Sequence, residues 1–508
     1  MTQIAPSQAE VISFLRQYIA RADDYAEIET HISHIFLKDD VAFKLKKALC
    51  FDFLDFSTLA ARQHYCQREF TLNQRTAPAL YLDVLPITRN PVTNGLCIGG
   101  QGPAMDWIIK MRRFDQQNLL SHMAESRSLD LTLICTLADH IISFHNSAEA
   151  KPDFGNPEYY ASVINSIGDN LRAAPDILHE NDISALVRRL KSLLSQHQDL
   201  IRHRADHGLV RQCHGDLHLA NIVLYNGQPV PFDCIEFSED IANIDVLYDL
   251  AFTLMDLLHY DLRPHANLLL NRYMEARRDY QGLALLPFFM ALRAGIRAMV
   301  TAIAAGEAAT ASQKQDIRHY HALALHLCTL PTAQMVAIGG LSASGKSTVA
   351  QQIALDLMPG SGAIILRSDG IRKRLFNQRP ETTLPPDAYN RNVSRKVYAI
   401  MQDDAEAALH AGYTVICDGT HLSPAGREDL AQKAMALSLP FTGLWIEATP
   451  DNLRNRIKHR KNDASDATLD VLERQLKQDS GPIKWTILDG NRDRQSLHQQ
   501  ALTALSSR

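Results

Sequence analysis

The 508-residue sequence has few of the features that mark disulfide-rich, metal-bound or strongly charged proteins. Its eight cysteines are scattered without a CxxC pair, so the sequence gives no sign of a disulfide framework or a structural zinc site, and it favours reduced thiols. Charged residues make up 21% of the chain and the formal net charge is only −5, so nothing attracts the whole chain to nucleic acid or to an anionic membrane. We expect an ordinary globular protein of the cytoplasm.

We expect neither a secretion signal nor an uninterrupted apolar span. Residues 1–6 do not show the basic-then-apolar order of a signal peptide. The most apolar long region, 285–305, contains Arg293 and Arg297, which would be costly at the centre of a bilayer. We therefore predict no membrane-spanning helix. There is no internal repeat, and the length exceeds what one hydrophobic core usually organises, so more than one domain is expected.

A change of pattern near Leu330-Pro331-Thr332 divides the chain into residues 1–330 and 331–508. In the second part, short apolar strands alternate with helical segments, which predicts an α/β domain with a parallel sheet and helices on both faces. In the first part, short strands with one helix precede a mostly helical region, which predicts a two-lobed α+β fold. The predicted strands of the second part are 335–338, 363–366, 414–417 and 444–446.

The most specific motif is the segment 340–347, which has the glycine, lysine and serine spacing of a P-loop. It follows the strand at 335–338 and precedes a helical segment. Its glycines allow backbone N–H groups to turn toward phosphate oxygens, Lys346 supplies a positive charge near the β- and γ-phosphates, and the Ser347 hydroxyl can hold Mg²⁺. The alternative is a turn that binds no ligand, but the segment matches the whole P-loop pattern between a strand and a helix, which disfavours this alternative. No Asn-Lys-x-Asp element indicates guanine, so ATP is the expected nucleotide. The predicted binding residues are Gly340, Ser342, Ala343, Ser344, Gly345, Lys346, Ser347 and Thr348, and Lys346 is also predicted to be catalytic.

Two aspartates directly follow later strands of the same sheet. Because the carboxyl ends of parallel strands share one edge, Asp369 and Asp418 are expected beside the phosphate loop. We predict Asp418 as a metal residue with Ser347, Asp369 as the residue that meets an acceptor hydroxyl, and Arg372 as an anion-binding group one helical turn further. No acidic residue adjoins Asp418, which favours transfer to an acceptor over hydrolysis.

A basic segment further along contains Arg454, Arg456 and Arg460. We predict that Arg456 and Arg460 belong to a lid that brings guanidinium groups over the transferring phosphoryl group. The alternative is a solvated basic helix face.

Residues 1–330 contain a second set of phosphate-handling residues in the order Lys44, Glu69, Asp216, Asn221, Asp233. This is the order of protein-kinase sites, in which a strand lysine pairs with a helix glutamate, an aspartate orients the acceptor hydroxyl, and an asparagine and a second aspartate hold metal. Lys46 lies on the same strand face as Lys44, so the choice of phosphate lysine stays open, with Lys44 favoured. A competing interpretation takes His214, Asp216 and His218 as metal ligands for hydrolysis.

On these residues the chain resembles two families. Residues 1–330 resemble the aminoglycoside phosphotransferase-like branch of the protein-kinase fold, most specifically through 214–221, with Asp245 and Asp249 also similar. Residues 331–508 resemble small P-loop kinases of the polynucleotide-kinase and zeta-toxin type. The second resemblance implies Asp369 as the acceptor-side base and Arg427 as a substrate-binding residue. No GxGxxG is present, and residues 30–34 stand where that loop would be expected.

The resulting expectation is a phosphotransferase with two kinase-like domains that uses ATP and Mg²⁺. The acceptor is a hydroxyl group of a small molecule or of a nucleic-acid end, without an extended nucleic-acid surface. Two alternatives stay open. In one, the first 330 residues are a degenerate kinase fold that serves as a binding or regulatory module. In the other, the P-loop is a nucleotide-driven switch, and hydrolysis of the nucleotide rearranges the chain.

Overall fold

The computed structural model describes residues 6–51, 54–174, 177–379, 381–459 and 468–506. The strands are β1 Tyr25–Glu29, β2 Ser33–Lys38, β3 Val41–Lys46, β4 Cys50–Phe51, β5 Leu54–Asp55, β6 Tyr81–Arg89, β7 Leu96–Ile98, β8 Ala104–Arg112, β9 Val210–Gln212, β10 Ile222–Tyr225, β11 Gln228–Pro231, β12 Asn243–Asp245, β13 Met335–Gly339, β14 Ile364–Arg367, β15 Val415–Asp418, β16 Phe441–Glu447 and β17 Thr486–Asp489. The helices are α1 Pro6–Ile19, α2 Leu59–Asn73, α3 Leu120–Glu125, α4 Leu131–Ser147, α5 Pro157–Arg172, α6 Glu180–Asp206, α7 Glu239–Ala242, α8 Val246–His259, α9 Arg263–Arg277, α10 Leu286–Ala305, α11 Ala311–Leu327, α12 Lys346–Leu357, α13 Ser368–Leu375, α14 Arg391–His410, α15 Pro424–Ala436, α16 Pro450–Lys458, α17 Leu469–Lys477 and α18 Arg494–Ser506.

The first compact unit comprises the residues up to Tyr260 together with Leu292–Ala322. Its six-stranded antiparallel sheet has the order β1-β2-β3-β8-β6-β7. Strand β3 alternates between the two faces of this sheet. Phe43 and Leu45 pack with α1 on one face, so Lys44 and Lys46 lie on the other, where α2 packs. Helices α3 to α8 and the β10-β11 hairpin follow the sheet, as the predicted two-lobed fold requires.

The second compact unit comprises Asp261–Ala291 and the chain from Leu323 onward. Its sheet is parallel, in the order β14-β15-β13-β16-β17. In the register of this sheet, Ile338 and Arg367 both lie beside Asp418, which brings the ends of β13, β14 and β15 to one edge. The predicted α/β class and its four strands are confirmed, and β17 is an additional strand that periodicity alone did not indicate.

Helix α9 belongs to this second unit, although it precedes the predicted boundary at residue 330. It packs against the edge strand β14 and against α12 and α13. Asn267 Nδ2 donates to the Ser361 carbonyl at 2.7 Å. Gly370 makes room for the α9 carboxylate, because a Cβ on that glycine would lie 1.7 Å from Glu275 Oε1. The compact units therefore do not divide at 330, and the extents 1–330 and 331–508 stay a prediction about domains.

The segment Gln281–Ala305 is long and apolar enough to cross a membrane by length and composition alone, with a mean hydropathy of 1.6. However, 72% of its apolar window is buried inside the protein. The guanidinium carbon of Arg293 lies 3.8 Å from the ring centroid of Tyr248, and Arg293 is itself buried. Core helices commonly have this composition, so the segment is weak evidence for a membrane span.

Candidate active sites

The loop between β13 and α12 has the backbone conformation of an anion cradle. Three of its residues have positive φ angles: Gly340 at 134°, Ala343 at 65° and Gly345 at 110°. A Cβ on Gly340 would lie 2.4 Å from the Ile446 carbonyl oxygen, so this position requires glycine. The buried Ser344 hydroxyl has no hydrogen-bond partner among the described residues. The shape and this unsatisfied hydroxyl fit a nucleoside triphosphate.

A hydroxyl and a carboxylate meet beside this loop. Ser347 Oγ donates to Asp418 Oδ2 at 2.7 Å, and Asp418 is buried. Oxygen ligands of this kind suit Mg²⁺, so the pair fits the predicted metal site. Arg367 Nη2 lies 3.3 Å from Ser347 Oγ, and Arg367 Nε lies 3.6 Å from Asp418 Oδ2. The sequence analysis did not assign Arg367, although its place at the end of β14 is the signal that would have found it.

The Lys346 ammonium group lies within its own loop, where Nζ donates to the Leu341 carbonyl at 2.8 Å. Its helix, α12, begins at this residue, so the helix N-terminus and the lysine charge are adjacent. Both groups favour a bound phosphate.

The P-loop opens into a cleft of about 1500 Å³. Asp369, in the first turn of α13, and Arg372 line the same cleft. Arg372 Nη1 donates to the Ala388 carbonyl at 2.7 Å, while its buried Nε has no hydrogen-bond partner among the described residues. The cleft thus has a phosphate side and a side where a carboxylate adjoins a guanidinium group.

The arginine segment differs from the predicted lid. Arg456 Nη1 lies 3.3 Å from the carbonyl oxygens of Ala343 and Ser344, and its Nη2 donates to Gly490 at 2.7 Å. These contacts use the carbonyl groups of the P-loop rather than its amides, so Arg456 supports the loop, and its predicted role over the phosphates stays a prediction. Arg454 pairs with Glu473 at 2.8 Å. Arg460 lies outside the described residues.

Helix α17 places side chains in the cleft that the sequence analysis missed. Gln475 Oε1 accepts a hydrogen bond of 2.9 Å from the Ser342 N–H of the P-loop, and Arg474 also lines the cleft. The signal for these residues is their position on an amphipathic helix that follows the arginine segment.

The guanidinium group of Arg427 is held by backbone carbonyl groups. Its Nη1 donates to the carbonyl of His421 at 2.8 Å and its Nη2 to the carbonyl of Ser480 at 2.8 Å. Longer bonds to Leu422 and Pro482 complete this set, and the side chain is buried. These donors hold two loops together, and substrate binding by Arg427 stays a prediction.

In the first unit, α2 faces β3 across a buried group of charges. Lys44 Nζ donates to Glu69 Oε1 at 2.8 Å and to Asp233 Oδ1 at 2.5 Å. Lys46 Nζ donates to Glu69 Oε2 at 2.5 Å and also contacts Glu236. Burial opposes ionisation of Glu69, but the two lysines outweigh it and lower its pKa to about 2. Lys44 is the lysine that reaches Asp233, so this geometry favours it over Lys46 for a phosphate contact.

Residues 214–221, which contain the predicted catalytic Asp216, fold as a loop that ends in a 3₁₀ turn at Leu219–Asn221. Asn221 Nδ2 donates to Asp216 Oδ2 at 2.9 Å, and His218 Nε2 lies 3.3 Å from the same oxygen. Burial raises the pKa of Asp216, but the charge and hydrogen bond of His218 outweigh it and hold the pKa below its usual range. Arg297 also lowers this pKa, a role the sequence analysis did not assign. Asp233 has a left-handed φ of 65°.

The competing metal interpretation does not fit the side chains. His214 Nε2 hydrogen-bonds to the Phe232 carbonyl at 2.9 Å, which takes that nitrogen away from a metal. Among the described residues, the group with ligand atoms close together is His145, Cys213 and Asp249. Asp249 already accepts the backbone N–H groups of His214 and Gly215 at 3.1 and 3.0 Å. Asp249 therefore anchors the start of the loop 214–221.

The β1-β2 hairpin occupies the place of the absent glycine-rich loop. Its turn is closed by Ser33 N–H, which donates to Thr30 Oγ1 at 3.0 Å. Lys47 Nζ further ties the turn by donating to the Thr30 carbonyl at 2.5 Å. This turn is thus built from side-chain bonds and not from exposed glycine amides.

One protein family matches part of this chain, and a curated protein matches most of its length. Residues 335–482 match the AAA domain family. An uncharacterized protein of Mycobacterium tuberculosis is 28% identical over 452 residues, which cover 87% of this chain and 88% of that protein.

Two solved structures are similar to different shares of the chain. The choline/ethanolamine kinase family protein from Mesorhizobium loti is 13% identical, with 63% of this chain and 95% of that chain covered and a TM-score of 0.38. A sugar kinase from Janibacter sp. HTCC2649 is 19% identical, with 34% and 95% covered and a TM-score of 0.27.

The predicted combination of a protein-kinase-like fold and a P-loop kinase domain is confirmed, on the elements and side chains described above and the AAA domain match. Both are kinase-type folds, which supports phosphotransferase activity in general terms.

Proposed function

We propose that this protein is a cytoplasmic, ATP- and Mg²⁺-dependent phosphotransferase whose P-loop unit phosphorylates a hydroxyl group. The acceptor is a small molecule or a nucleic-acid end bound in the cleft. The observation that carries the proposal is that one cleft joins the P-loop lysine, the Ser347–Asp418 pair and the Asp369–Arg372 wall. A nucleotide switch would need the lysine and the Ser347–Asp418 pair, but it would not need a carboxylate and a guanidinium group on the far side of the cleft.

Each residue has a defined task in this transfer. Bound Mg²⁺·ATP supplies the phosphoryl group and neutralises part of its charge. Lys346 stabilises the negative charge that builds on the phosphoryl oxygens, and Ser347 and Asp418 hold the metal. Asp369 takes the proton of the acceptor hydroxyl as its oxygen bonds to the γ-phosphorus. The bond from that phosphorus to the bridging oxygen breaks, and the electron pair leaves with ADP.

The direct test is the stoichiometry of transfer by the full chain. Protein, Mg²⁺ and γ-labelled ATP are incubated with metabolite and RNA fractions of a cell extract, and ADP and labelled acceptor are counted. We expect the two products in equal amounts, because hydrolysis is not the reaction for which the cleft is built. ADP formed with label only in inorganic phosphate would contradict the proposal and favour the switch.

We further propose that the first unit is itself a nucleotide-binding kinase lobe. The Lys44–Glu69 pair, the contact of Lys44 with Asp233 and the Asp216–Asn221 bond support this. In that unit Asp216 orients an acceptor hydroxyl, and Asn221 and Asp233 hold metal. The closed β1-β2 turn is the observation that favours the alternative, a regulatory module without nucleotide.

A nucleotide-binding lobe and a regulatory module can be distinguished in the full chain that carries Lys346→Ala, because this substitution weakens nucleotide binding at the P-loop. We expect residual Mg²⁺·ATP binding by titration calorimetry, lost when Asp233→Ala is added, because that carboxylate is the metal residue. Asp199→Ala, at an exposed position of α6, is the matched control and should leave binding unchanged. Residual binding that is absent, or that survives Asp233→Ala, would favour the regulatory module.

A further inference from the structure

The lining of the P-loop cleft is basic, although the chain as a whole is acidic. The described residues that line it include seven cationic and four acidic side chains, whereas the formal net charge of the chain is −5. A concentration of positive charge inside one cleft attracts anionic ligands to it. The triphosphate accounts for the cationic side chains near the P-loop, such as Lys346 and Arg367. The positions of the remaining cationic side chains indicate which second ligand the cleft binds.

Three of these cations lie at the start of α14. Arg391, Arg395 and Lys396 line the cleft and are exposed. Arg391 and Arg395 are one helical turn apart, so their side chains emerge on the same helix face. Ser394, Tyr398, Ala399 and Gln402 continue that face along the cleft. No hydrogen bond or ion pair joins any of the three cations to another described residue. We call Arg391, Arg395 and Lys396 the α14 basic group.

This group lies on the acceptor side of the cleft. Helix α14 packs against β14, β15 and α13, whereas the P-loop follows β13, which is separated from β14 by β15. Asp369 and Arg372 also belong to α13, and the Arg372 Nη1 lies 3.4 Å from Ser394 Oγ of α14. The buried Arg372 Nε without a described partner is therefore close to the α14 basic group. Guanidinium N–H groups without a described partner, in the cleft that Asp369 also lines, fit an acceptor that is itself negatively charged.

We propose that the acceptor is a small hydroxyl compound with its own phosphate, sulfate or carboxylate group, which the α14 basic group and Arg372 bind. This inference rests on the proposed phosphotransferase function. The hydroxyl is thereby held beside Asp369, and the anion fixes the orientation of the acceptor. Guanidinium groups bind all three anions by the same charge-assisted hydrogen bonds.

The distribution of charge favours a small acceptor over a polynucleotide. The basic residues occupy only the first turns of α14, and Asp403, Asp404 and Glu406 follow on the same helix. A polynucleotide needs a longer run of positive charge along its backbone than these turns provide, and the exposed Asp403 would repel it.

The first test sorts acceptors by charge before they are identified. A cell extract is ultrafiltered, and its small molecules are separated by an anion exchanger into retained and unretained fractions, with the polymers kept apart. Each fraction is incubated with γ-labelled ATP and the full chain, either wild type or Lys346→Ala. We expect wild-type-dependent labelled product from the retained small molecules. Product from the unretained or polymer fraction alone would overturn the inference but keep the proposed function, and no labelled product from any fraction would overturn both.

The second test uses the active fraction to locate the anion site. Arg395→Glu is expected to raise the half-saturating amount of acceptor roughly tenfold or more, with the KM for ATP essentially unchanged. Arg395→Lys keeps the charge and should restore most of the affinity. Arg494→Glu, at an exposed position of α18 outside the cleft, should match the wild type. An equal rise of both KM values, or no change in either, would overturn the assignment of this group to the acceptor.

Discussion

Replacing Lys346 by alanine is expected to slow phosphoryl transfer roughly a hundred- to a thousandfold, the usual effect of removing one donor that stabilises transition-state charge. The ammonium group stands at the N-terminus of α12, next to the Ser347–Asp418 pair. No other described lysine lines the phosphate side of the cleft, since Lys396 belongs to α14. The measurement is the initial rate of labelled acceptor formation at saturating ATP and acceptor.

Lys433→Ala is the matched control for this experiment. Lys433 lies on α15 of the same unit, outside the cleft, and pairs with Glu406. Its replacement removes one positive charge from the unit without touching the P-loop, so transfer should stay at the wild-type rate. Circular dichroism of both variants checks that the fold is kept. A Lys346→Ala protein that is folded and as active as the control would remove the P-loop from the chemistry.

The second large effect concerns stability and the buried charges between α2 and β3. Lys46→Met is expected to lower the free energy of unfolding of the first unit by about 3–5 kcal/mol, the usual cost of breaking a buried ion pair. Lys46 and Glu69 are fully buried and Glu236 nearly so. Without Lys46, Glu69 keeps Lys44, but Glu236 becomes an uncompensated buried carboxylate. Its pKa is already raised by burial and should rise further, so the loss of stability should shrink as the pH is lowered.

The measurement can be confined to the first unit, because Trp107 is its one tryptophan and Trp445 and Trp485 belong to the second unit. In a Trp445→Phe, Trp485→Phe background, urea unfolding followed by fluorescence therefore reports on the sheet around β8. Arg112→Met is the control, since Arg112 pairs with the exposed Asp40 and its loss should cost below about 1 kcal/mol. Equal losses for the two variants would contradict the account of this charge group.

The sequence predicted the features that are set by neighbouring residues. The P-loop and strands β13 to β16 follow from short apolar runs bounded by glycine or by polar residues, and parallel strands bring Asp418 and Asp369 to the same edge. Alternation along β3 likewise placed Lys44 and Lys46 on one face. These features depend on periods of two or 3.6 residues, which are visible in any short window.

The features that escaped prediction depend on distant partners. Nothing near Arg427 indicates that its guanidinium group meets the carbonyl of Ser480, 53 positions away. Arg456 lies in a basic segment, as a lid residue would, but its partners are the carbonyls of the P-loop 112 and 113 positions earlier. Helix α9 joins the P-loop unit through packing on β14, and a pattern within α9 cannot show which sheet it will meet.

The central claim is that residues 340–347 hold the phosphates of Mg²⁺·ATP for transfer. A crystal structure of the full chain with Mg²⁺ and a non-hydrolysable ATP analogue tests it most directly. We predict that the β- and γ-phosphates lie on the amides of this loop, that Lys346 Nζ leaves the Leu341 carbonyl for their oxygens, and that Mg²⁺ contacts Ser347 Oγ. A nucleotide bound elsewhere in the chain, with this loop empty and Lys346 still on Leu341, would contradict the account.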